Sequence, residues 1–336
     1  GRVALTTERE KGWLISGQML RLRIKNPLIY SEYLIYLISS VDVLRYFELA
    51  SLGSTRDSIN TEILRDMPVL IPPFPEQHAI AAFLDRETAK IDTLVEKKRR
   101  LISLLEEKRA AIISHAVTKG LDPDAPMKDS GVEWLGEIPA EWKPHRNGTL
   151  FIERDERGYP DLLLLNVSLH TGVSVREFSS DKIEQMADDK STYKRAKRDD
   201  IVFNKMRMWQ GAVGVAPTDG LVSPDYTVAI PRKNVHSKYF EYLFRTSLYK
   251  TETNRYSHGI VPDRNRLYWD QFKQMKSIYP PFSEQMEIVN KIDQQSNNID
   301  CLINLIQKGI ERLQEYRTAL ISAAVTGKID VREASL

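Results

Sequence analysis

The chain has 336 residues, a formal charge of only +2 and 42% hydrophobic residues, enough apolar content for two domains and a connector. Its single cysteine, Cys301, excludes an internal disulfide framework and fits a reducing compartment, so a cytoplasmic location is expected. There is no run of 18 apolar residues to span a membrane, and no secretory leader is read at the start.

Residues 1–71 read as the end of a first module. Short apolar runs, Trp13 to Ile15 and Met19 to Ile24, predict strands. Ser31 to Ser40 predicts a helix burying Tyr33, Leu34, Leu37 and Ile38. A polar segment, Ser51 to Asn60, follows; its Ser54, Thr55 and Arg56 are candidate DNA contacts. Pro72-Pro-Phe-Pro-Glu-Gln77 then opens a long helical pattern, with a seam at Ile80, Leu84, Glu87, Ile91, Leu94, Lys98, Leu101, Leu105, Lys108 and Ile112. Steps of four and three are coiled-coil spacing. The run ends at Ala116-Val-Thr118, before Gly120, and corresponds to about 65 Å of helix.

The same tail recurs at an offset of 208. Pro280-Pro-Phe-Ser-Glu-Gln285 opens it and Ala324-Val-Thr326 closes it. The matching seam is Ile288, Ile292, Gln295, Ile299, Leu302, Ile306, Gly309, Leu313, Tyr316 and Leu320. Ordinary amphipathic helices on a globular core are the alternative reading. A stripe this narrow favours a helix pair, with the second helix running antiparallel to the first and a module at each end.

Between the tails, Leu121 to Pro144 is rich in turn residues and joins the first helix to the second domain. Gly211 to Val215 and Tyr226 to Ile230 predict strands. Ser237 to Thr246 predicts a helix burying Tyr239, Phe240, Leu243 and Phe244. This order repeats residues 1–71. By that alignment the first module lacks the counterpart of residues 128–210, so a first domain shortened at its front is expected. The organisation is therefore 1–71 (first domain), 72–120 (first spacer helix), 121–279 (second domain), 280–330 (second spacer helix) and a tail, 331–336.

Charge is uneven within the second domain. Residues 141–190 hold 7 Lys and Arg against 10 Asp and Glu, whereas residues 191–280 hold 16 against 8. A concentrated positive region is the footprint of a polyanion-binding face. Within it, Asn204, Lys205, Arg207, Trp209 and Gln210 follow a strand-like run, and His258, Arg264, Asn265 and Arg266 lie in a loop-like segment. Lys194, Arg195, Lys197 and Arg198 are expected to be exposed on a loop or short helix. Lys and Arg neutralise phosphates, and Arg, Asn and Gln read base edges. Arg207 is the leading base-reading candidate.

Catalytic signatures are missing. Ile71-Pro-Pro-Phe74 and Tyr279-Pro-Pro-Phe282 resemble the Asn/Asp-Pro-Pro-aromatic loop of amino-methyltransferases but lack the Asn or Asp that holds the amine. Glu96-Lys97 and Glu106-Glu-Lys108 lack an acidic partner for nuclease chemistry. There is no phosphate-cradling Gly loop and no metal-ligand His spacing.

Three segments together resemble the specificity (S) subunits of type I restriction-modification systems, over essentially the whole chain. They are Asp129-Ser-Gly-Val-Glu-Trp-Leu-Gly-Glu-Ile-Pro-Ala-Glu-Trp142, Asp200-Ile-Val-Phe-Asn-Lys-Met-Arg207 and the duplicated Pro-Pro-Phe-x-Glu-Gln helix. The resemblance implies an α+β fold: two mixed α/β target recognition domains joined by two long antiparallel coiled-coil helices with internal pseudo-two-fold symmetry. It implies a non-catalytic chain that reads a bipartite double-stranded DNA target for DNA methylation and phage defence. Two methyltransferase (M) subunits and restriction (R) subunits are its implied partners. No cofactor is expected in this chain; S-adenosylmethionine belongs to M, and ATP and Mg to R. A coiled-coil adaptor without DNA specificity, or a fragment of a single-chain methyltransferase-nuclease, are the rival readings.

Overall fold

The structure, a computed structural model, describes residues 3–10, 12–16, 19–51, 59–176, 190–259 and 265–331. The chain opens with helices α1 (Ser31–Ile38), α2 (Val41–Ser51), α3 (Thr61–Arg65) and the long α4 (Phe74–Lys119). Then come β1 (Met127–Asp129), β2 (Glu137–Pro139), β3 (Lys143–Arg146), α5 (Asn147–Leu150), β4 (Phe151–Arg154), β5 (Leu165–Ser168) and β6 (Gly172–Val175). Strands β7 (Lys194–Ala196), β8 (Ile201–Asn204), β9 (Val213–Val215), β10 (Gly220–Val222) and β11 (Tyr226–Pro231) follow. Last are α6 (Ser237–Arg245), α7 (Ser247–Tyr256), α8 (Trp269–Phe272), β12 (Lys276–Tyr279) and the second long helix α9 (Phe282–Val325). Among the described residues no helix is long and apolar enough to cross a membrane.

The two long helices start and stop for the same reasons. Proline has no N–H and is tolerated only in the first turn of a helix, where Pro75 sits, so Pro72-Pro73 and Pro280-Pro281 bar the helices from extending further toward the N-terminus. Glu76 and Glu284 in the first turns complement the positive end of each helix dipole. Gly120 and Gly327 end them with positive φ, +81° and +71°, where a side chain would be strained.

The chain forms two compact units, Gly1–Leu104 with Cys301–Leu336, and Leu105–Asp300. Each contains the start of one long helix and the end of the other. In the first unit Tyr33, Leu37, Val43 and Phe47 of α1 and α2 share a core with Ile80 and Leu84 of α4 and Ile321, Ala324 and Val325 of α9. In the second unit Phe151, Tyr239, Phe240, Leu243 and Phe244 share a core with Val117 of α4 and Ile288 and Ile292 of α9.

Several contacts of one unit recur in the other. Tyr33 Oη, 3.0 Å from Leu70 O, shares its proton with Val325 O (3.4 Å) in the first, and Tyr239 Oη donates to Val117 O (2.9 Å) in the second. Gln77 and Gln285, both fully buried, each accept a backbone N–H at 2.8 Å, from Tyr30 and His236. Each also donates Nε2 to two carbonyls, those of Leu28 and Pro72 or those of Asn234 and Pro280. The internal duplication is thus expressed in packing as well as in sequence.

The second unit adds a four-stranded antiparallel sheet, ordered β4-β11-β8-β9. Alternation along β8 sorts its two faces. Ile201 and Phe203 face the core against α6, and Val202 faces a second core with Leu165, Val167, Val173 and Val222. Gly214 is needed where β9 meets the β5–β6 hairpin, because a Cβ there would lie 2.5 Å from Val173 N.

Two expectations are corrected. Trp13 to Ile15 and Met19 to Ile24 form no strand; Trp13 is 72% and Leu14 99% exposed. A strand needs partners for its N–H and C=O groups. The comparable strands β9 and β11 pair with β8 and β4, which have no counterpart among the described residues of the first unit.

The helix seam is also rotated. One predicted row holds: Leu84, Ile91, Lys98, Leu105 and Ile112, with Ile292, Ile299, Ile306, Leu313 and Leu320, are buried or half-buried. In the other row the head residues Ile80 and Ile288 are buried as expected, but farther along Leu94 is 44%, Leu302 48% and Tyr316 59% exposed. The second inward row lies one residue on, at Ala81, Thr88, Val95 and Ile102, and at Val289, Ile303, Ile310 and Arg317. Two ion pairs fix the antiparallel register. Within the first unit Arg317 Nε donates to Asp92 Oδ1 (2.9 Å), and within the second Arg109 Nη1 donates to Asp300 Oδ1 (2.5 Å). Asp92 and Asp300, like Arg109 and Arg317, are repeat-equivalent positions.

Adjacent residues therefore differ sharply in worth. Val95→Ala is expected to cost about 1–2 kcal/mol, from lost methyl burial plus a cavity. Leu94→Ala should stay within about 0.5 kcal/mol, as for surface changes generally. Denaturant unfolding of the two variants checks this, and the reverse order would restore the unrotated seam.

Candidate nucleic-acid interface

Strand β8 carries the candidate residues to the edge of the second unit. At its end Asn204 is half-buried, cross-strand from Tyr226, and its Oδ1 accepts from Met206 N at 2.9 Å. The chain then turns through Met208–Gln210 and closes at Gly211, whose φ of +95° requires glycine. Arg207 and Gln210 are exposed on this turn. Trp209 is half-buried, its Nε1 donating to Met206 O at 3.0 Å. Lys205 is tied down: its Nζ donates to Pro224 O at 3.1 Å, and burial, with Lys194 adding to it, lowers its pKa.

The second candidate segment lies beside the first. Leu267 N donates to Lys205 O at 2.9 Å. His258 and Arg266, both exposed, exchange backbone hydrogen bonds of 3.1 and 3.0 Å. Asn265 is half-buried and donates Nδ2 to Asn254 Oδ1. Arg264, Ser54, Thr55 and Arg56 lie outside the described residues.

The expected exposed cluster at 194–198 is corrected in part. Lys194 to Ala196 form strand β7, paired with β10. Lys194 is only 4% exposed, with Nζ 3.8 Å from Glu153 and 3.9 Å from Asp155. Arg195 is paired with Asp219 at 2.8 Å and lies over the Tyr159 ring. These cations are neutralised by neighbouring strands and loops, which the local sequence does not reveal. Arg198 is exposed and Lys197 half-buried. Their turn is anchored by Asp200, whose Oδ2 accepts from Lys197 N (2.7 Å) and Arg154 Nε (2.7 Å). Glu156 also pairs with Arg154.

A polar cleft of about 490 Å³ opens between the β5–β6 hairpin and the end of β8. Asn204 and Arg207 line it together with Asn166, Ser168, His170 and Tyr226. The last four were not singled out from sequence; the run Asn166-Val-Ser-Leu-His170 before a hairpin glycine was the available signal. Burial raises the Tyr226 pKa, partly offset by Arg176 and Arg207, so the hydroxyl is neutral near pH 7. No group of acidic, His or Cys side chains that could hold a metal occurs among the described residues.

The described residues thus present a repeated helix-and-domain arrangement with a carboxylate-free polar cleft and the exposed cations Arg198, Arg207 and Arg266 in the second unit. Residues 1–103 match the family described as the type I restriction modification DNA specificity domain. A putative type I restriction enzyme MjaX specificity subunit from Methanocaldococcus jannaschii is 21% identical over 99% of this chain and 76% of its own length. The HsdS subunit from Thermoanaerobacter tengcongensis shares the fold, with a TM-score of 0.52 and 15% identity, over 89% of this chain and 70% of that one. A chain from a structure of type I R-M complex assembly and conformational transition gives 0.58 at 16% identity, over 88% and 70%. Residues 1–103 thus match this family's DNA specificity domain, and over most of its length the chain is similar to type I restriction enzyme specificity subunits.

The Arg154–Asp200 pair gives a local test. Asp200→Ala strands a buried guanidinium and should cost close to the low end of about 3–5 kcal/mol, because Glu156 remains beside it. Replacing both partners with Met and Leu should cost less than the single change. Equilibrium unfolding of the three variants measures this, and a double variant worse than Asp200→Ala contradicts it.

Proposed function

We propose that this chain is the non-catalytic DNA-recognition subunit of a type I restriction-modification complex. It reads a bipartite duplex target and scaffolds two methyltransferase subunits and the restriction subunits. S-adenosylmethionine, ATP and Mg then belong to those partners, and the assembly works in the cytoplasm. The observation that carries this reading is the recurrence of one anchoring scheme, in which Tyr33 and Gln77 of the first unit do what Tyr239 and Gln285 do in the second. A duplicated anchor is what a reader of two half-sites needs.

In this reading the exposed cations Arg198 and Arg266, with Lys197, His258 and Gln210, face the DNA backbone and groove edges. Lys197→Ala and Arg198→Ala should weaken binding to all duplexes alike. Each should reduce the slope of log affinity against log salt by about 0.9, one phosphate's worth. A gel-shift series across salt concentrations reads this, and a complex with no salt-dependent affinity for DNA points to a plain adaptor.

The paired helices set the gap between half-sites. Inserting four residues, about one helical turn, near Leu101 and near Gly309 should lengthen the unread gap and leave the bases read unchanged. Mapping methylated sites in a host carrying the intact system tests it, and an unaltered gap removes the ruler role.

A further inference from the structure

Residues that grip phosphates form exposed, densely charged ridges. The cleft between the β5–β6 hairpin and the end of β8 is built otherwise. Of the side chains lining it, Arg207 alone is formally charged, and none is a carboxylate. Around it stand the amides of Asn166 and Asn204, the imidazole of His170 and the hydroxyls of Ser168 and Tyr226. Base edges present neutral donors and acceptors, so a set with one cation and several neutral polar groups suits edge reading better than phosphate holding.

The hydrogen bonds already made narrow the roles further. Ser168 Oγ accepts from His170 N (3.1 Å) and Thr171 N (3.4 Å), so it shapes the hairpin turn. Asn204 Oδ1 already accepts from Met206 N, so one of its two lone pairs is taken by its own turn. Asn166 is the better placed for the two-point donor and acceptor contact that recognises adenine: it is exposed between the buried Leu165 and Val167, and neither end of its amide is bonded to a described residue. Arg207 has a rigid base. Its N donates to Asn204 O (3.0 Å), and its carbonyl accepts from Gln210 N (3.0 Å) and Ala212 N (3.1 Å). A fixed backbone lets a planar guanidinium meet the paired acceptors of guanine at low entropic cost.

We infer that this cleft is the base-reading site of the second unit, with Arg207 matched to guanine and Asn166 to adenine. The assignment rests on the DNA-recognition reading above. It separates two jobs, phosphate contact on the Lys197–Arg198 turn and sequence reading in the cleft.

The test presents the full chain, assembled with its methyltransferase subunits, with randomised duplex DNA and sequences the bound fraction. Arg207→Ala should lose discrimination at one guanine position by roughly 5- to 150-fold and keep the others. Asn166→Ala should do the same at a separate adenine position. Both side chains are exposed, so both variants should melt as the parent does. If both variants retain every parental preference, the inference fails and the DNA-recognition reading stands. The same holds if Arg207→Ala weakens all duplexes evenly with a shallower salt slope. If the unaltered chain enriches no sequence at all, both readings fall together.

Discussion

At the head of each long helix a buried glutamine ties two stretches of backbone together, the Pro-Pro entry and a distant segment, Leu28–Tyr30 or Asn234–His236. Gln77 and Gln285 use both ends of the amide, accepting one N–H and donating to two carbonyls. A backbone group buried without a partner costs about 1–3 kcal/mol, so each glutamine satisfies groups that the adjacent prolines leave without a helical ladder. Proline supplies the stop and glutamine completes the hydrogen bonding around it. The angle at which a domain meets its helix is thereby fixed by side-chain geometry, and the tyrosine on α1 or α6 anchors the same domain to the end of the other helix.

The helix pair itself rests on modest forces. Asp92 and Arg317 are half-exposed, and such pairs contribute about 0–1 kcal/mol. Their value lies in direction: an antiparallel alignment brings both repeat-equivalent Asp–Arg pairs together. Apolar burial supplies the adhesion through Leu84, Ile91, Val95 and Ile310. Lys98 and Gly309 show an accommodation within the seam, since a Cβ on Gly309 would lie 3.3 Å from the lysine Nζ.

The long helices, their boundaries and their duplication were legible because proline, glycine and a sustained heptad act locally. The facing row was not. Reading by apolar size favoured Leu94 and Leu302, whereas Thr88 lies inward because its hydroxyl is satisfied by Leu84 O at 2.6 Å. Polar seam residues that bond to their own helix leave no hydropathy signal. In the second unit β8, its turn and Arg207 were readable from one segment. The burial of Lys194 depends on strand β10 and on acidic groups some 40 residues upstream, and the cleft depends on a hairpin approaching β8 from residues 165–175. Long-range pairing of short strands is what single-segment reading misses.

Each unit closes around both helices, but the two are unequal in chain order. Leu105–Asp300 is one uninterrupted stretch, while the first unit must recruit residues beyond Cys301. The contact between Tyr33 and Val325 joins positions 292 residues apart. Domains fold as their residues emerge during synthesis, and distant contacts wait for the loop between them to close. The earlier unit therefore has the costlier closure: Ile80, Leu84 and Phe47 gain their cover from α9 only once the whole of the later unit lies between them in the chain.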